Sequence, residues 1–316
     1  MQNIVIIADT PYLMNKNLIV IVGATAIGKT SLAVAVAQHF KCEIISADSR
    51  QFFKEMKIGT AVPTPDELKA APHHFIQHRS IQTTYTVGDF EKDAMQVIDK
   101  LFEFNNTVVL VGGSGLYVNA IINGLDEFPE VDQNTKRTVQ QLYQNKGIEG
   151  LQKSLQSLDP EYYHKVDLSN THRVMRAIEV SLSSGQPYSS FLNKKKKQRP
   201  FNIIKIGLSA DRSIIYDRIN RRVDQMMKDG LRTEASILYP FKHLNGLNTV
   251  GYKEIFAYLD KQYNLETAIS EIKKNTRRFA KRQLTWFTKD KEITWFSIET
   301  DRKEILSFIE KNSLQK

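Results

Sequence analysis

The feature that most constrains the fold of this 316-residue chain is a glycine-rich loop near its N-terminus. The loop matches the pattern G-x-x-x-x-G-K-[ST] and consists of Gly23, Ala24, Thr25, Ala26, Ile27, Gly28, Lys29 and Thr30. An apolar run at residues 18–22 predicts a buried strand before it, and helical spacing over residues 30–40 predicts a helix after it. Strand, loop and helix in this order are the context in which the pattern binds phosphate. Loop amides and the helix N-terminus would face an anion, Lys29 would add positive charge, and the Thr30 hydroxyl could ligate Mg²⁺.

Beyond the loop, short apolar segments continue to alternate with helical segments. Strands are predicted at residues 43–46, 74–77, 107–111 and 202–208, and a helix at residues 89–104. Such alternation is typical of a parallel sheet with helices on both faces. We therefore predict an α/β fold of the P-loop type with a doubly wound parallel sheet.

Residues 132–185 interrupt this alternation, because they contain helical segments and no convincing strand. Asp159 before Pro160 and Asn170 are good helix N-caps, and Gly185 can end a helix. The helix after Asn170 is expected to bury Val174, Ile178 and Leu182. We predict an α/β core at residues 17–120 and 200–316, a helical insertion at residues 121–199, and an N-terminal extension at residues 1–16.

Composition narrows the class of protein further. No apolar run reaches the roughly 18 residues that a membrane helix needs, and the opening stretch lacks a signal-peptide pattern. The single cysteine, Cys42, excludes an internal disulfide and fits a reducing compartment, so we predict a cytoplasmic protein. The formal net charge of +9 is only weak evidence for a polyanionic partner.

The loop alone does not define the reaction. An NTP-hydrolysing enzyme usually has a carboxylate at the end of another strand to organise Mg²⁺, whereas the strand at residues 107–111 runs into Gly112, Gly113 and Ser114. Residues 193–196 also fail to match a guanine-reading N-K-x-D motif. These absences argue against a GTPase or motor and leave a small-molecule kinase open.

Several further blocks, in order along the chain, resemble the tRNA dimethylallyltransferases, also called tRNA isopentenyltransferases. They are residues 46–51 (SADSRQ), 56–61 (MKIGTA), 71–74 (APHH), 112–117 (GGSGLY), 172–180 (HRVMRAIEV), 218–226 (with Arg218, Arg222 and RVDQM), 250–252 (VGY) and 281–287 (KRQLTWF). Departures are Ser114 for the usual threonine, Ala24 for a common proline and Lys253 for a frequent arginine. The chain also lacks the C-terminal Cys/His module of some eukaryotic relatives.

The resemblance implies transfer of a dimethylallyl group from dimethylallyl diphosphate to N6 of an adenosine in tRNA, with diphosphate leaving. It implies Asp48 as the general base, although the residues alone favour a helix or turn cap at this position. Lys29, Thr25 and Arg222 would stabilise the leaving diphosphate, and Ser114 would hydrogen-bond the base or the donor. The implied cofactor is Mg²⁺, ligated by Thr30.

Arg222 belongs to a predicted helix that buries Ile215, Ile219, Val223 and Met226. Arg218, Arg222 and Gln225 follow at helical spacing on a neighbouring face. This pattern by itself indicates a solvated basic face. The resemblance instead places Arg222 over the diphosphate and leaves both interpretations of Arg218 open.

The resemblance also implies a set of tRNA contacts. The set comprises Asp48, Ser49, Arg50, Gln51, Ser114, Lys136, His172, Arg173, Val174, Met175, Arg176, Asn248, Thr249, Val250, Gly251, Tyr252, Lys253, Lys281, Arg282, Gln283, Leu284, Thr285, Trp286, Phe287 and Thr288. A helix over residues 265–287 is predicted to bury Ile269, Ile272, Phe279 and Leu284 and to expose a basic surface, which is the usual footprint of a phosphate backbone. Trp286 and Phe287 are predicted to be core residues. The implied partner is the anticodon stem-loop of tRNA, bound by a monomer without membrane attachment.

Residues 1–13 precede everything that the resemblance covers, so we predict that Met14 is the natural start and that the extension is dispensable. The alternative is that the apolar run at residues 4–7 adds an edge strand or covers a hydrophobic patch. Comparing the full chain with a protein that begins at Met14, by melting temperature and transfer rate, separates these hypotheses.

Three alternative functions remain at this point. They are a P-loop kinase of a small metabolite with Arg218 and Arg222 in a lid, a prenyltransferase acting on free AMP or ADP, and a non-catalytic tRNA-binding protein. An intact Lys29 and Asp48 argue against the last.

Overall fold

The computed structural model describes residues 16–192 and 197–313, so the predictions for residues 1–15 and for the motif at residues 193–196 lie outside the described part. Six parallel strands form one sheet in the order β3-β2-β4-β1-β5-β6. The strands are β1 (Asn17–Gly23), β2 (Ile44–Ser46), β3 (His73–His74), β4 (Thr107–Gly112), β5 (Asn202–Ser209) and β6 (Thr294–Ser297). The predicted parallel α/β sheet is confirmed.

Helices connect the strands and extend the chain beyond them. They are α1 (Lys29–Phe40), α2 (Pro65–Ala70), α3 (Val87–Phe104), α4 (Gly115–Asn123), α5 (Gln133–Leu158), α6 (Pro160–Tyr163), α7 (Thr171–Ser184), α8 (Arg212–Lys228), α9 (Leu231–Leu238), α10 (Tyr252–Leu259), α11 (Leu265–Phe287) and α12 (Arg302–Ser313). None of the helices in the described ranges is long and apolar enough to cross a bilayer.

The chain divides into two compact units. The larger comprises Met1–Asn123 and Gln198–Lys316, and the smaller comprises Gly124–Lys197. In the larger unit, alternate residues of β1 pack into two hydrophobic clusters, with Ile19 in one and Leu18 in the other, as expected for a sheet covered on both faces. A third cluster around Met56, Val223 and Tyr252 joins the C-terminal helices.

The smaller unit has its own core, which contains Val139, Leu151, Val174 and Ile178. The predicted caps are confirmed, because Asp159 accepts the amide of Tyr162, Asn170 accepts the amide of Arg173, and Gly185 ends α7 at φ 68°. Leu182 was wrongly assigned to the buried face, since it is 46% exposed and its neighbour Ser181 is buried instead.

The predicted strand at residues 74–77 was also wrong in extent. The strand is His73–His74, and the chain leaves the sheet at Phe75 and Gln77, whose φ angles of 65° and 47° are incompatible with extended backbone.

Candidate active site

A cavity of about 330 Å³ lies where β1, β2 and β4 end, at the edge of the sheet where ligands of α/β proteins usually bind. Its lining comes from the glycine-rich loop, from the segment after β2, from Gly112 and Gly113 after β4, and from Arg222 of α8. Residues 60–64, together with Glu67 and His73, complete it.

The glycine-rich loop has a backbone that only glycine tolerates at two positions. Gly23 has φ 146°, and a Cβ there would lie 2.9 Å from the carbonyl oxygen of Leu208. Gly28, with φ 108°, precedes α1 and provides no side-chain cap. The first amides of α1 therefore have no helical acceptor and are available to an anion.

Lys29 lies inside this loop. Its Nζ donates to the carbonyl of Ala24 at 2.8 Å. Burial lowers the pKa of Lys29 from 10.5 to about 8, although the nearby carboxylate of Asp48 acts in the opposite direction. The ammonium group is therefore charged at neutral pH, but its charge depends on what else enters the cavity.

Gln283 of α11 ties the loop to the end of β4. Its Oε1 accepts the Thr25 amide at 2.8 Å, and its Nε2 donates to the carbonyl of Gly113 at 2.9 Å. A Cβ on Gly113 would lie 2.3 Å from Gln283 Nε2, which explains the glycine there. Gln283, which is also a predicted tRNA contact, is 6% exposed.

Two arginines of α8 reach the loop. Arg222 Nη1 lies 3.5 Å from Thr25 Oγ1, and Arg218 Nη1 donates to the carbonyl of Ile27 at 3.4 Å. Burial, and then the charge of Arg218, lower the pKa of Arg222. Gln225 does not join them, because its amide donates to Asp229 on the exposed side of the helix. Ile215, Ile219 and Val223 are buried as predicted.

Asp48 lies in the same cavity as Lys29, Thr30 and Arg222. Its Oδ1 accepts the amide of Arg50 at 3.1 Å, so the turn role that the residues alone favoured is present. Among the described residues, Oδ2 receives no hydrogen bond. The same carboxylate can therefore hold the turn and still offer an oxygen to a ligand.

Ser114 contacts the segment after β2 rather than the cavity. Its Oγ accepts the amide of Ser49 at 3.1 Å and lies 3.2 Å from Ser49 Oγ. Arg50 of the same segment contacts a distant loop, because its guanidinium donates to the carbonyls of Asn245 and Gly246. Residues 48–51 of the predicted tRNA set are thus linked to Asn245 and Gly246, which precede the predicted stretch that begins at Asn248.

The remaining predicted tRNA residues of the larger unit fall into three groups by exposure. Asn248, Lys253, Lys281, Arg282, Thr285, Trp286 and Thr288 are exposed, and Thr249, Val250 and Leu284 are half-buried. Gly251, Tyr252 and Phe287 are buried. Trp286 was wrongly predicted to be core, since it is 43% exposed beside Gly115, and Phe279 of the same helix is 38% exposed. Phe287 is buried as predicted.

In the smaller unit, Lys136, His172, Arg173 and Arg176 are exposed. Arg176 also lies over the ring of Phe128, 5.6 Å from its centroid. Val174 is fully buried and Met175 half-buried, so these two serve the core of this unit. The exposed members include three cations, Lys136 on α5 and Arg173 and Arg176 on α7.

His73 and Glu67 are cavity residues that sequence reasoning did not assign to the site. Nδ1 of His73 lies 2.8 Å from the carbonyl of Ala71, and its buried Nε2 has no partner among the described residues. Glu67 accepts the Thr64 amide in a capping box. The block at residues 71–74 (APHH) marked this region in the sequence, but a motif without periodicity does not show which side chains face a ligand.

The fold and the cavity first define a class: a P-loop α/β protein whose phosphate loop opens into a cavity containing a carboxylate. Residues 51–290 match the model of the IPP transferase family. A tRNA dimethylallyltransferase from Christiangramia forsetii is 61% identical over 297 residues, which are 94% of this chain and 98% of that protein. One from Flavobacterium johnsoniae is 59% identical over 303 residues, with coverage of 94% and 98%.

Solved structures give the same result. A tRNA isopentenylpyrophosphate transferase from Bacillus halodurans matches with a TM-score of 0.71 and 36% identity, over 94% of this chain and 97% of that one. A eukaryotic dimethylallyltransferase acting on tRNA matches with a TM-score of 0.78 and 25% identity, over 95% and 78%. This chain belongs to the IPP transferase family. The relatives named above are tRNA dimethylallyltransferases and a tRNA isopentenylpyrophosphate transferase.

Proposed function

We propose that this enzyme transfers the dimethylallyl group of dimethylallyl diphosphate to N6 of the adenosine immediately 3′ of the anticodon in tRNA, releasing diphosphate. The observation that carries the proposal is the presence of Asp48 in one cavity with the phosphate loop, Lys29 and Arg222. The similarity to tRNA dimethylallyltransferases supports the same reaction and does not favour a kinase or an enzyme of free nucleotides.

The phosphate loop would hold the leaving group. Attack at the allylic carbon breaks the bond from this carbon to the bridging oxygen, and negative charge develops on that oxygen. The charge would be stabilised by the amides at the start of α1, the ammonium of Lys29, the guanidinium of Arg222 and the hydroxyl of Thr25. Loss of one such preorganised donor typically costs about 3–4 kcal/mol in the transition state.

Asp48 would act as the general base. The exocyclic amino group of adenine is a weak nucleophile because its lone pair is delocalised into the ring. Removing a proton from N6 as the new C–N bond forms accelerates such a step by roughly 10²–10⁴-fold. Ser114, through its bond to Ser49, would fix the segment that carries Asp48.

Mg²⁺ would be held by the Thr30 hydroxyl and by oxygens of the diphosphate. The cavity fits such an ion, since Thr30, Ser46, Asp48 and Glu67 all offer the oxygen ligands that Mg²⁺ prefers. Within the described residues there is no cluster of three or more metal-binding side chains, so the substrate would complete the coordination. The ion would neutralise charge on the diphosphate.

The anticodon stem-loop of tRNA would bind along the exposed cations Lys281 and Arg282 of α11 and, in the smaller unit, along Lys136, Arg173 and Arg176. The target adenosine must leave its stack to reach the cavity, which costs a few kcal/mol and least in a single-stranded loop. A cytoplasmic monomer remains our prediction.

A comparison of acceptors tests the proposal. Purified protein is incubated with labelled dimethylallyl diphosphate and Mg²⁺, together with tRNA, with AMP, or with ATP and a metabolite mixture. Label transferred to tRNA alone supports the proposal. Label in AMP, or formation of ADP, would instead identify a nucleotide prenyltransferase or a kinase.

A further inference from the structure

One wall of the cavity is an irregular segment that contains no helix or strand. Residues 57–63 are turns and coil, and Thr60, Ala61, Val62 and Pro63 line the cavity. Three consecutive side chains of this wall are apolar, in a cavity whose phosphate loop, Asp48 and Arg222 are polar. Residues 61–63 therefore offer an apolar surface to an apolar tail attached to a diphosphate in this cavity.

Glu234 of α9 holds the start of this segment. Its Oε2 accepts the amides of Lys57 at 3.0 Å and Ile58 at 2.8 Å, and its Oε1 accepts the amide of Gly59 at 2.9 Å. Hydrogen bonds to an ionised acceptor are stronger than neutral ones. One carboxylate from a distant part of the chain thus fixes three successive backbone amides directly before the wall.

Tyr252 of α10 completes the arrangement. Its hydroxyl donates to Glu234 Oε1 at 2.7 Å, and its ring occupies the space beside Gly59, where a Cβ would lie 2.5 Å from Tyr252 Cε2. Burial and the adjacent Glu234 raise the pKa of Tyr252, so the hydroxyl remains a donor. Because Tyr252 is 0% exposed, no surface of this side chain is available to RNA.

Gln51, which lines the cavity, also holds the wall. Its Nε2 donates to the carbonyls of Thr60 at 3.2 Å and Ala61 at 2.9 Å. Ala61 has φ 48°, a left-handed conformation that an alanine adopts only when its surroundings enforce it. The shape of the wall is therefore imposed by Gln51 on one side and by Glu234 and Tyr252 on the other.

We propose that Glu234 and Tyr252 are positioning residues that set the apolar wall at residues 61–63 and thereby the affinity for the prenyl tail of the donor. This inference rests on the proposed function, because it assumes a prenyl diphosphate in the cavity. It assigns Tyr252 to the donor side of the enzyme, whereas the sequence placed this residue among the tRNA contacts.

The test compares the binding of a diphosphate with and without a prenyl tail. Tyr252→Phe and the parent are titrated calorimetrically with inorganic pyrophosphate and with dimethylallyl diphosphate, both with Mg²⁺. The phosphate loop is untouched, so pyrophosphate affinity stays at the parental value, whereas affinity for dimethylallyl diphosphate falls by about 2–10-fold, the worth of one hydrogen bond. Tyr258→Phe on the same helix, where the ring lies near Arg232, is the matched control and leaves both affinities unchanged.

Equal weakening of both ligands would overturn the proposal, because it would indicate general loosening of the fold. Unchanged donor binding with weaker tRNA binding would overturn it too and return Tyr252 to the RNA side. If Tyr252→Phe melts early, Glu234→Gln is measured in the same way, since an amide has one acceptor oxygen and cannot accept from Lys57 and Ile58 and also from Gly59 as the carboxylate does. A parent that binds dimethylallyl diphosphate no better than pyrophosphate would overturn the proposal as well. No RNA is present, so the proposed function is tested separately, by label transfer to tRNA.

Discussion

Asp48 and Lys29 have opposite charges and line the same cavity. The ammonium of Lys29 is partly neutralised by the carboxylate of Asp48, and its burial lowers its pKa to about 8. A diphosphate in the cavity would add further negative charge beside Lys29 and favour its charged form. Asp48, whose Oδ2 receives no hydrogen bond among the described residues, would then accept the proton from the nucleophile.

Asp48→Asn should reduce single-turnover transfer to tRNA by roughly 10²–10⁴-fold, because the amide cannot take a proton. The substitution keeps an oxygen that can accept the Arg50 amide, so tRNA affinity should remain close to the parent's. The measurements are single-turnover transfer and filter binding. Asp66→Asn, at an exposed position of α2, is the control. Parental turnover by Asp48→Asn would remove Asp48 from the mechanism.

Binding of pyrophosphate should weaken as the pH rises above about 8. The lowered pKa means that Lys29 loses its charge above this pH in the free enzyme, and an anionic ligand must then restore the proton. The affinity should fall by at most about tenfold per pH unit. Calorimetry between pH 7 and 9 measures this effect. Lys29→Met should bind more weakly and without this pH dependence; the same pH profile in that variant would assign the titration to another group.

The helix α11 joins the parts of the catalytic unit. Ala268 and Ile272 pack among the C-terminal helices, Ala280 packs against one face of the sheet, and Phe287 packs against the other. Between these anchors, Gln283 turns inward to the phosphate loop, while Lys281 and Arg282 remain exposed. One rigid element thus carries the proposed RNA contact and the support of the diphosphate site.

Lys281→Ala and Arg282→Ala should each weaken tRNA binding and make it less sensitive to salt. Each lost phosphate contact should reduce the log–log salt slope by about 0.7–0.9. Filter binding over a series of salt concentrations measures the slope, with Lys100→Ala on α3 as an exposed control. A slope identical to the parent's in both variants would place the path of the tRNA elsewhere.

Across the whole molecule, the sequence correctly predicted the features that depend only on neighbouring residues. The strand, loop and helix around Gly23 to Thr30 follow from periodicity and glycine spacing, and the caps Asp159 and Asn170 follow from side-chain chemistry. These features depend on neighbours within a few residues, so the sequence was sufficient.

Features that depend on distant residues were not predicted. The segment at residues 57–63 has no periodicity, and its shape depends on Glu234, which is 177 residues from Lys57. Gln283 lies next to exposed arginine and lysine residues on the helix, and only its contacts with Thr25 and Gly113 show that it points inward. The chain leaves β3 after His74 likewise because of a distant contact, since the amide of Gln77 donates to the carbonyl of Gln51.

The central claim is that one cavity transfers the dimethylallyl group from its diphosphate to an adenosine of the anticodon loop. The most direct test maps the product: tRNA incubated with the protein, dimethylallyl diphosphate and Mg²⁺ is digested with a base-specific nuclease, and the fragments are weighed by mass spectrometry. We predict one dimethylallyl group, on the adenosine immediately 3′ of the anticodon. An unmodified anticodon loop, or the group on another nucleotide, would contradict the claim.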